Sequence, residues 1–288
     1  MMAQLLPDSA WATMLERTMA RHDGWPVALP DNPEAVSAPA MIDAAIAWQL
    51  ADTVPKPSFQ PHPLLVMPDM GPAASHRRWG NHWVKLFIQG NHGGAGHTHE
   101  DKGSFVLEFA GDTFAADPGS CDYSSPLSGV LKTCQRHNML IPTGIDERPA
   151  PQCPLPVDVK PAATGDETSF RAEIDLTPGW KSYYAKWHRT WESPTPDLLT
   201  ITDEYELVKG DGVVFYWQTR LPASVTANQA VITGSKGAVE LTAPQESEWT
   251  LEELPLLDGT QYRLALAWPH PCGQLVIRAR LIGASAPS

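Results

Sequence analysis

Cysteines are scarce in this sequence, and no long apolar run interrupts it. The four cysteines, Cys121, Cys134, Cys153 and Cys272, include no CxxC pair. This argues against a zinc ribbon or a thioredoxin-type redox site, and it leaves both two disulfides and free thiols open. No stretch approaches the roughly 20 apolar residues of a membrane helix. The first residues also lack the basic and apolar regions of a signal peptide, so the sequence predicts neither feature.

Positive charge is also in short supply. Lysine and arginine total 21 against 33 aspartates and glutamates, which gives a net charge of -12. An acidic chain of this kind is unsuited to non-specific nucleic-acid binding or to an anionic membrane surface, because both partners are negatively charged. We therefore expect no nucleic-acid and no membrane partner, and a polyanionic ligand would need a local basic patch.

The residues that are abundant favour a mainly β fold. There are 28 prolines and 21 glycines, too many for a helical bundle. Apolar residues recur with a period of two, which is typical of half-buried strands, and no alternating helices separate them. The predicted strands are residues 82–89, 103–117, 168–176, 181–191, 198–208, 212–219, 237–243, 262–268 and 274–282.

This pattern predicts an antiparallel β-sandwich over residues 79–288. Residues 1–55 are expected to form a short helical segment, with apolar stripes that indicate helices at 9–20 and 39–52. Residues 56–78 are rich in proline and indicate a linker or an extended wrap.

Histidines are concentrated just before the second predicted strand. Five of the ten lie between residues 76 and 99, and the segment 90–99 reads GNHGGAGHTH. The glycines allow unusual backbone dihedrals there. His97 and His99 are two residues apart, so in an extended segment both rings would lie on the same face.

A predicted hairpin brings further polar groups to this loop. Residues 103–117 turn at Ala110-Gly111-Asp112, so Asp117 returns to the end of the sheet from which the first strand starts. His137 lies after the next loop. Two imidazoles and a carboxylate, from His99, Asp117 and His137, suit zinc with a fourth position left for water, and His97 would be free for chemistry.

Simpler interpretations compete with this one. The His-x-His pair can belong to a glycine-rich surface loop, and Asp117 can form a turn before Pro118. His137 can be a satisfied core histidine. Metallo-hydrolases with HxHxDH and cupins share the His-x-His motif, but Lys102 stands where the former need histidine, and Gly103 and Ser104 stand where the latter need glutamate.

Taken together, GHTHEDKGSFVLEFAGDTFAADPGSCDY and CQRHNMLI resemble the heparinase II/III-like family of polysaccharide lyases. The specific resemblance covers about residues 80–145, and from 146 to 288 it rests on strand pattern. It implies an N-terminal α/α toroid followed by an antiparallel sandwich. It further implies β-elimination of uronate-containing polysaccharides such as heparan sulfate or alginate, in full-length relatives that are typically periplasmic or secreted.

Site roles also follow from the resemblance. His99, Asp117 and His137 match the family's zinc ligands, and the zinc is implied to be structural. His97 matches a histidine that faces the substrate, Tyr123 lies near a cleft tyrosine that would protonate the leaving oxygen, and Arg136 would bind a uronate carboxylate. The catalytic prediction is thus His97, Tyr123 and Arg136.

Three functions remain open at this point, one of which is an unrelated metal-dependent hydrolase or cupin-like oxygenase. About 55 residues before the linker cannot form a complete toroid, and the first tyrosine is Tyr123. The chain is predicted to be the zinc-bearing sandwich part of a larger lyase, completed by a toroid or by a second copy, or else a non-catalytic carbohydrate-binding or scaffolding sandwich with a structural zinc. Six tryptophans could stack on sugars, but their alternation favours packing: Trp79, Trp83, Trp180, Trp187, Trp191 and Trp217.

Overall fold

The computed structural model describes residues 62–92, 98–145 and 158–283. Within these ranges the fold is mainly β, and the strands pair antiparallel in three sheets of five, eight and four strands. The predicted fold class is confirmed. The helices predicted at 9–20 and 39–52 lie outside the described residues.

The five-stranded sheet carries the hairpin that the sequence predicted. Its strands are adjacent in chain order: β1 (Leu64–Val66), β2 (Ala73–Trp79), β3 (His82–Ile88), β4 (Phe105–Phe109) and β5 (Asp112–Ala115). Between β4 and β5, Ala110 and Gly111 both have positive φ, as a two-residue type I′ hairpin turn requires. The tight turn places the start of β4 and the end of β5 at the same edge.

The other two sheets complete the sandwich. Their strands, in chain order, are β6 (Leu140–Thr143), β7 (Ala162–Gly165), β8 (Phe170–Asp175), β9 (Tyr184–Thr195), β10 (Leu198–Leu207), β11 (Gly212–Thr219), β12 (Ala223–Thr226), β13 (Gln229–Thr233), β14 (Gly237–Thr242), β15 (Trp249–Leu256), β16 (Gly259–Trp268) and β17 (Cys272–Gly283). The eight-stranded sheet has the order β12-β13-β14-β17-β10-β9-β8-β7, and the four-stranded sheet has the order β15-β16-β11-β6.

Helical structure is confined to short turns within the described residues. A one-turn helix α1 (Ser128–Leu131) and a 3-10 turn (Cys134–Arg136) lie between β5 and β6, and a second 3-10 turn (Thr177–Trp180) precedes β9. No helix in the described part of the chain has the length and apolar character needed to cross a membrane.

The predicted linker over residues 56–78 needs correction. β1 and all of β2 except its last residue fall inside it, and β2 pairs with β3 along its whole length. The compact unit accordingly begins at His62 rather than at residue 79. The prolines that suggested a linker, such as Pro63 and Pro72, flank the strands, where a missing N–H costs no ladder hydrogen bond.

One hydrophobic core joins all three sheets. It includes Phe105 from the five-stranded sheet, Trp191 from the eight-stranded sheet and Phe215 from the four-stranded sheet. Four of the six tryptophans discussed above are fully buried, which confirms the packing interpretation for them: Trp180, Trp187, Trp191 and Trp217. Truncation of a buried aromatic of this size typically costs about 3–5 kcal/mol, so these residues mainly stabilise the fold.

Candidate functional site

A cleft of about 720 Å³ opens at the edge of the five-stranded sheet where β3 ends and β4 begins. Four segments of chain contribute to its walls: the loop before β2, the end of β3, the His-x-His loop and the segment after β5. Residues that line it include Met70, Phe87, Gln89, His92, His99, Asp101, Val106, Asp117, Cys121, Tyr123 and Lys132. The cleft therefore contains three of the residues that the sequence singled out.

His137 and Asp117 are in direct contact beside this cleft. Nδ1 of His137 lies 3.0 Å from Oδ2 of Asp117, and the His137 side chain is fully buried while that of Asp117 is 41% exposed. The remaining ring nitrogen of His137, Nε2, is buried and has no hydrogen-bond partner in the described part of the chain. A buried nitrogen without a hydrogen-bond partner lowers the stability of the fold by about 1–3 kcal/mol, so a cation bound at Nε2 would stabilise the protein.

His99 lies next to this pair. The His99 and His137 rings are 5.5 Å apart between centroids. Two imidazoles and a carboxylate are donors that zinc prefers, and a carboxylate on the second nitrogen of a metal-binding histidine is a common arrangement. However, among residues 62–92, 98–145 and 158–283 no three such side chains are arranged to hold a metal ion as they stand. The residues fit zinc by type and proximity, and the zinc site stays a prediction.

The ionisation of the two cleft-lining groups follows from their surroundings. Burial lowers the pKa of His99, and neighbouring His137 lowers it further, which favours the neutral imidazole. Burial acts to raise the pKa of Asp117, but the hydrogen bond and charge of His137, with the Gly119 amide, lower it overall. A neutral imidazole and an ionised carboxylate are the forms that bind metal ions.

Polar contacts fix the loop that carries His99 to the segment that precedes His137. The Glu100 amide donates to the Lys132 carbonyl over 2.9 Å, and the Cys134 amide donates back to Oε2 of Glu100 over 3.0 Å. Fully buried Lys102, the residue that excluded the metallo-hydrolase motif, donates to the His99 carbonyl over 3.1 Å. Glu100 and Lys102 therefore stabilise the loop that carries His99.

Asn138 performs a similar role below the site. Its side-chain amide donates to the carbonyls of Phe105 and Ala116, at the start of β4 and just after β5, over 2.6 and 3.3 Å. Its Oδ1 accepts from the Gln218 amide over 2.7 Å. One buried amide therefore fixes the spacing of the strands that lead to His99 and Asp117.

Tyr123 and Lys132 form a second pair in the cleft. Tyr123 is 68% exposed, and Nζ of Lys132 lies 4.2 Å from the centre of its ring. Lys132 makes no ion pair within the described residues, so its charge is directed to the cleft. No sequence pattern pointed to Lys132, because only the helical turn α1 and the 3-10 turn after it decide which cation of this segment faces outward.

Arg136 is the cation that the sequence indicated, and the structure places it elsewhere. Its side chain is buried, and Nη1 donates to the Pro255 carbonyl and to Oε1 of Gln261, each over 3.2 Å. These partners belong to β15 and β16, away from the cleft. Arg136 does not line the cleft whereas Lys132 does, and the role of Arg136 in binding a uronate carboxylate stays a prediction.

The structure describes only some of the other residues considered in the sequence, which are His97 and the four cysteines. His97 lies outside the described residues, so its catalytic role stays a prediction. Cys121 and Cys272 are free thiols, and Cys153 lies outside the described ranges.

Comparisons with solved structures agree with this fold. A heparan sulfate lyase HepC mutant from Pedobacter heparinus is similar with a TM-score of 0.64 and 13% identity, over 86% of this chain and 41% of that one. A heparinase III gene product is similar with a TM-score of 0.65 and 13% identity, over 88% and 43% of the two chains. At these identities the likeness shows the fold, and the chain spans about two fifths of the length of these structures.

A search of the curated proteins found no match. Residues 60–286 match the family described as Heparinase II/III-like, C-terminal. That match spans the whole described sandwich, including β1 and β2, and the cleft residues discussed above. The chain belongs to the heparinase II/III-like family, of which it contains the C-terminal domain.

Proposed function

We propose that this chain is the β-sandwich part of a polysaccharide lyase that cleaves uronate-containing chains by β-elimination. The observation that carries the proposal is the cleft in which the exposed Tyr123–Lys132 pair shares a wall with His99 and Asp117. Two similar solved structures are a heparan sulfate lyase and a heparinase III. Their substrates are acidic polysaccharides of the class proposed here.

The reaction makes three demands on the protein. A base removes the proton on C5 of the uronate, the electron pair forms the C4–C5 double bond, and the C4–O4 bond breaks as O4 takes a proton. The C5 proton is weakly acidic while the adjacent carboxylate is charged, so that carboxylate must be neutralised. Preorganised electrostatic stabilisation of the developing charge is usually the largest contribution.

The cleft residues supply part of this machinery. Lys132 would neutralise the carboxylate, because its ammonium group faces the cleft and carries no counter-charge among the described residues. Tyr123 would donate its phenolic proton to O4, since its exposed hydroxyl-bearing ring lies on the same wall. His97 is proposed as the base from its position in the motif. Groups beyond these would come from a toroid or from a second copy of the chain.

His99, Asp117 and His137 would hold a zinc ion beside these groups. Bound zinc would supply structural cross-linking of the three chain segments that form the cleft wall. The unpartnered Nε2 of buried His137 supports this assignment. Metal analysis of protein purified without chelator tests it, with about one zinc per chain expected. His137→Ala should lose the metal, whereas His188→Ala, at a half-exposed position on β9, should keep it.

The activity itself is tested by ultraviolet absorbance of new C4–C5 double bonds, with the full chain and with heparan sulfate, alginate and hyaluronan as separate substrates. Unsaturated product from one of them, lost in His97→Ala, is the expected result. Hydrolytic or oxidised products would instead indicate an unrelated metal-dependent enzyme and contradict the proposal.

The second candidate is a non-catalytic carbohydrate-binding sandwich. It is favoured by the exposed Tyr123 ring beside Lys132, because an aromatic face and a cation can bind an acidic sugar without cleaving it. It predicts binding of uronate polymers without any unsaturated product. The absorbance assay and a binding measurement on the same preparation distinguish the two.

A further inference from the structure

A cation platform lies on the outer face of the five-stranded sheet. The guanidinium of Arg78 lies 4.1 Å from the centre of the Trp83 ring, and the His76 ring is also 4.1 Å from it between centroids. Arg78 and Trp83 are direct partners across β2 and β3. Trp83 is only partly buried and is not among the residues that pack in or against the hydrophobic core.

This face continues directly into the cleft. Alternate residues of β3 share a face, so Trp83, Lys85 and Phe87 lie in a row, and Phe87 lines the cleft. On the next strand Val106 is the cross-strand partner of Phe87 and also lines the cleft. Trp83 is four residues from Phe87, which places the platform about 13 Å from the cleft at roughly 3.3 Å per residue.

The charge on this face is positive although the whole chain is acidic. Arg78 is exposed and forms no ion pair within the described residues, unlike the exposed Arg171 and Arg220, which are each paired with a carboxylate. Lys85, on the same face, is bound to Glu108 over 2.7 Å, so its charge is largely neutralised. Arg78 is therefore the main uncompensated charge along the path.

We infer that Arg78, held against Trp83, is a distal subsite that binds an acidic group of the polysaccharide several sugars away from the reacting bond. The inference rests on the proposed function, and it adds that the substrate is a long chain that crosses the sheet face. Stacking on the indole orients the guanidinium and leaves its N–H groups available for a carboxylate or sulfate, which it can bind through two parallel hydrogen bonds.

The test compares Arg78→Gln with Arg278→Gln. Arg278 is a matched control, because it is also an exposed arginine on a strand without an ion pair in the described residues, but it lies on β17 of the eight-stranded sheet. Each of the two substitutions is made in the full chain that also carries Tyr123→Phe, so that cleavage of the oligosaccharide does not disturb the titration. The probes are uronate tetrasaccharides and dodecasaccharides from heparan sulfate and from alginate, with affinity measured by titration calorimetry.

We expect Arg78→Gln to weaken dodecasaccharide binding roughly three- to tenfold, the range of one charged contact at a partly solvated site. The tetrasaccharide affinity should stay unchanged, and so should every affinity of Arg278→Gln. Arg78→Lys should recover part of the loss, since it keeps the charge but not the planar donors. The dependence of dodecasaccharide affinity on salt should also become less steep.

Equal losses for both oligosaccharide lengths, or for both arginine variants, would overturn the inference. A wild-type chain that binds neither oligosaccharide would overturn it as well. The proposed function fails separately: if the wild-type chain binds the dodecasaccharide with the Arg78 dependence but yields no unsaturated product, the distal subsite stands and the lyase proposal does not.

Discussion

Arg189 and Asp203 lie opposite each other on β9 and β10 and form a buried bidentate ion pair. Nε donates to Oδ1 over 2.7 Å and Nη2 donates to Oδ2 over 2.9 Å. The third nitrogen, Nη1, donates to the carbonyls of Gly103 and Asn138, each over 2.9 Å. Gly103 precedes β4 and Asn138 follows His137, so one guanidinium fixes the eight-stranded sheet to both segments that form the site.

Asp203→Asn should destabilise the protein by about 3–5 kcal/mol, because it leaves a buried guanidinium without its counter-charge. Urea unfolding measures this loss. Arg171→Met is the control: it removes an exposed arginine that bridges Glu173 and Glu192, and such surface pairs contribute about 1 kcal/mol or less. Similar losses in both variants would contradict the assigned role of the buried pair.

Tyr123→Phe should lower the rate of elimination by roughly 10²–10⁴-fold if the phenol protonates O4. The melting temperature should not change, because the side chain is 68% exposed. Tyr262→Phe, on β16 and outside the cleft lining, provides the control for loss of a phenolic hydroxyl. A full rate in Tyr123→Phe would remove this residue from the mechanism.

Lys132→Met and Arg136→Met should have opposite consequences. Lys132→Met should lower activity without loss of stability, because its ammonium group faces the cleft and makes a cation–π contact with Tyr123. Arg136→Met should lower stability by about 1–3 kcal/mol, since it leaves buried acceptors on Pro255 and Gln261 without their donor. Kinetics and thermal unfolding of both variants test the proposal that Lys132, rather than Arg136, acts on the uronate carboxylate. The proposal would be wrong if Arg136→Met lost activity at unchanged stability.

Gly90→Ala should destabilise the cleft wall. A Cβ at this position would overlap the carbonyl oxygen of Gly71, and backbone atoms cannot move aside as a flexible side chain can. Overpacking of this kind typically costs about 1–3 kcal/mol. Gly129→Ala, in α1 with no atom within 4 Å of the new Cβ, should be neutral or slightly stabilising, and chemical denaturation compares the two. If Gly90→Ala left the free energy of unfolding unchanged, the close approach of Gly71 and Gly90 would not limit the packing of the cleft wall.

The sequence predicted the elements whose signals are local. The period of two in residues 198–208 and 212–219 became β10 and β11, and the Ala110-Gly111 turn formed where it was expected. It did not indicate β12 and β13, which are four and five residues long, because so short a stretch offers too few alternations to distinguish from a loop. β1 and β2 were not predicted for a different reason, since the prolines around them favoured a linker over strands.

By itself, the sequence determined the fold class, the family and the closeness of Asp117 and His137, because alternation, turn residues and motif spacing are properties of neighbouring residues. Only the tertiary structure decided that Lys132 rather than Arg136 faces the cleft, that Arg189 joins the site to the far sheet, and that Arg78 and Trp83 meet on an open face. These facts depend on which side of a turn or strand meets the core, and that is set by packing between segments distant along the chain.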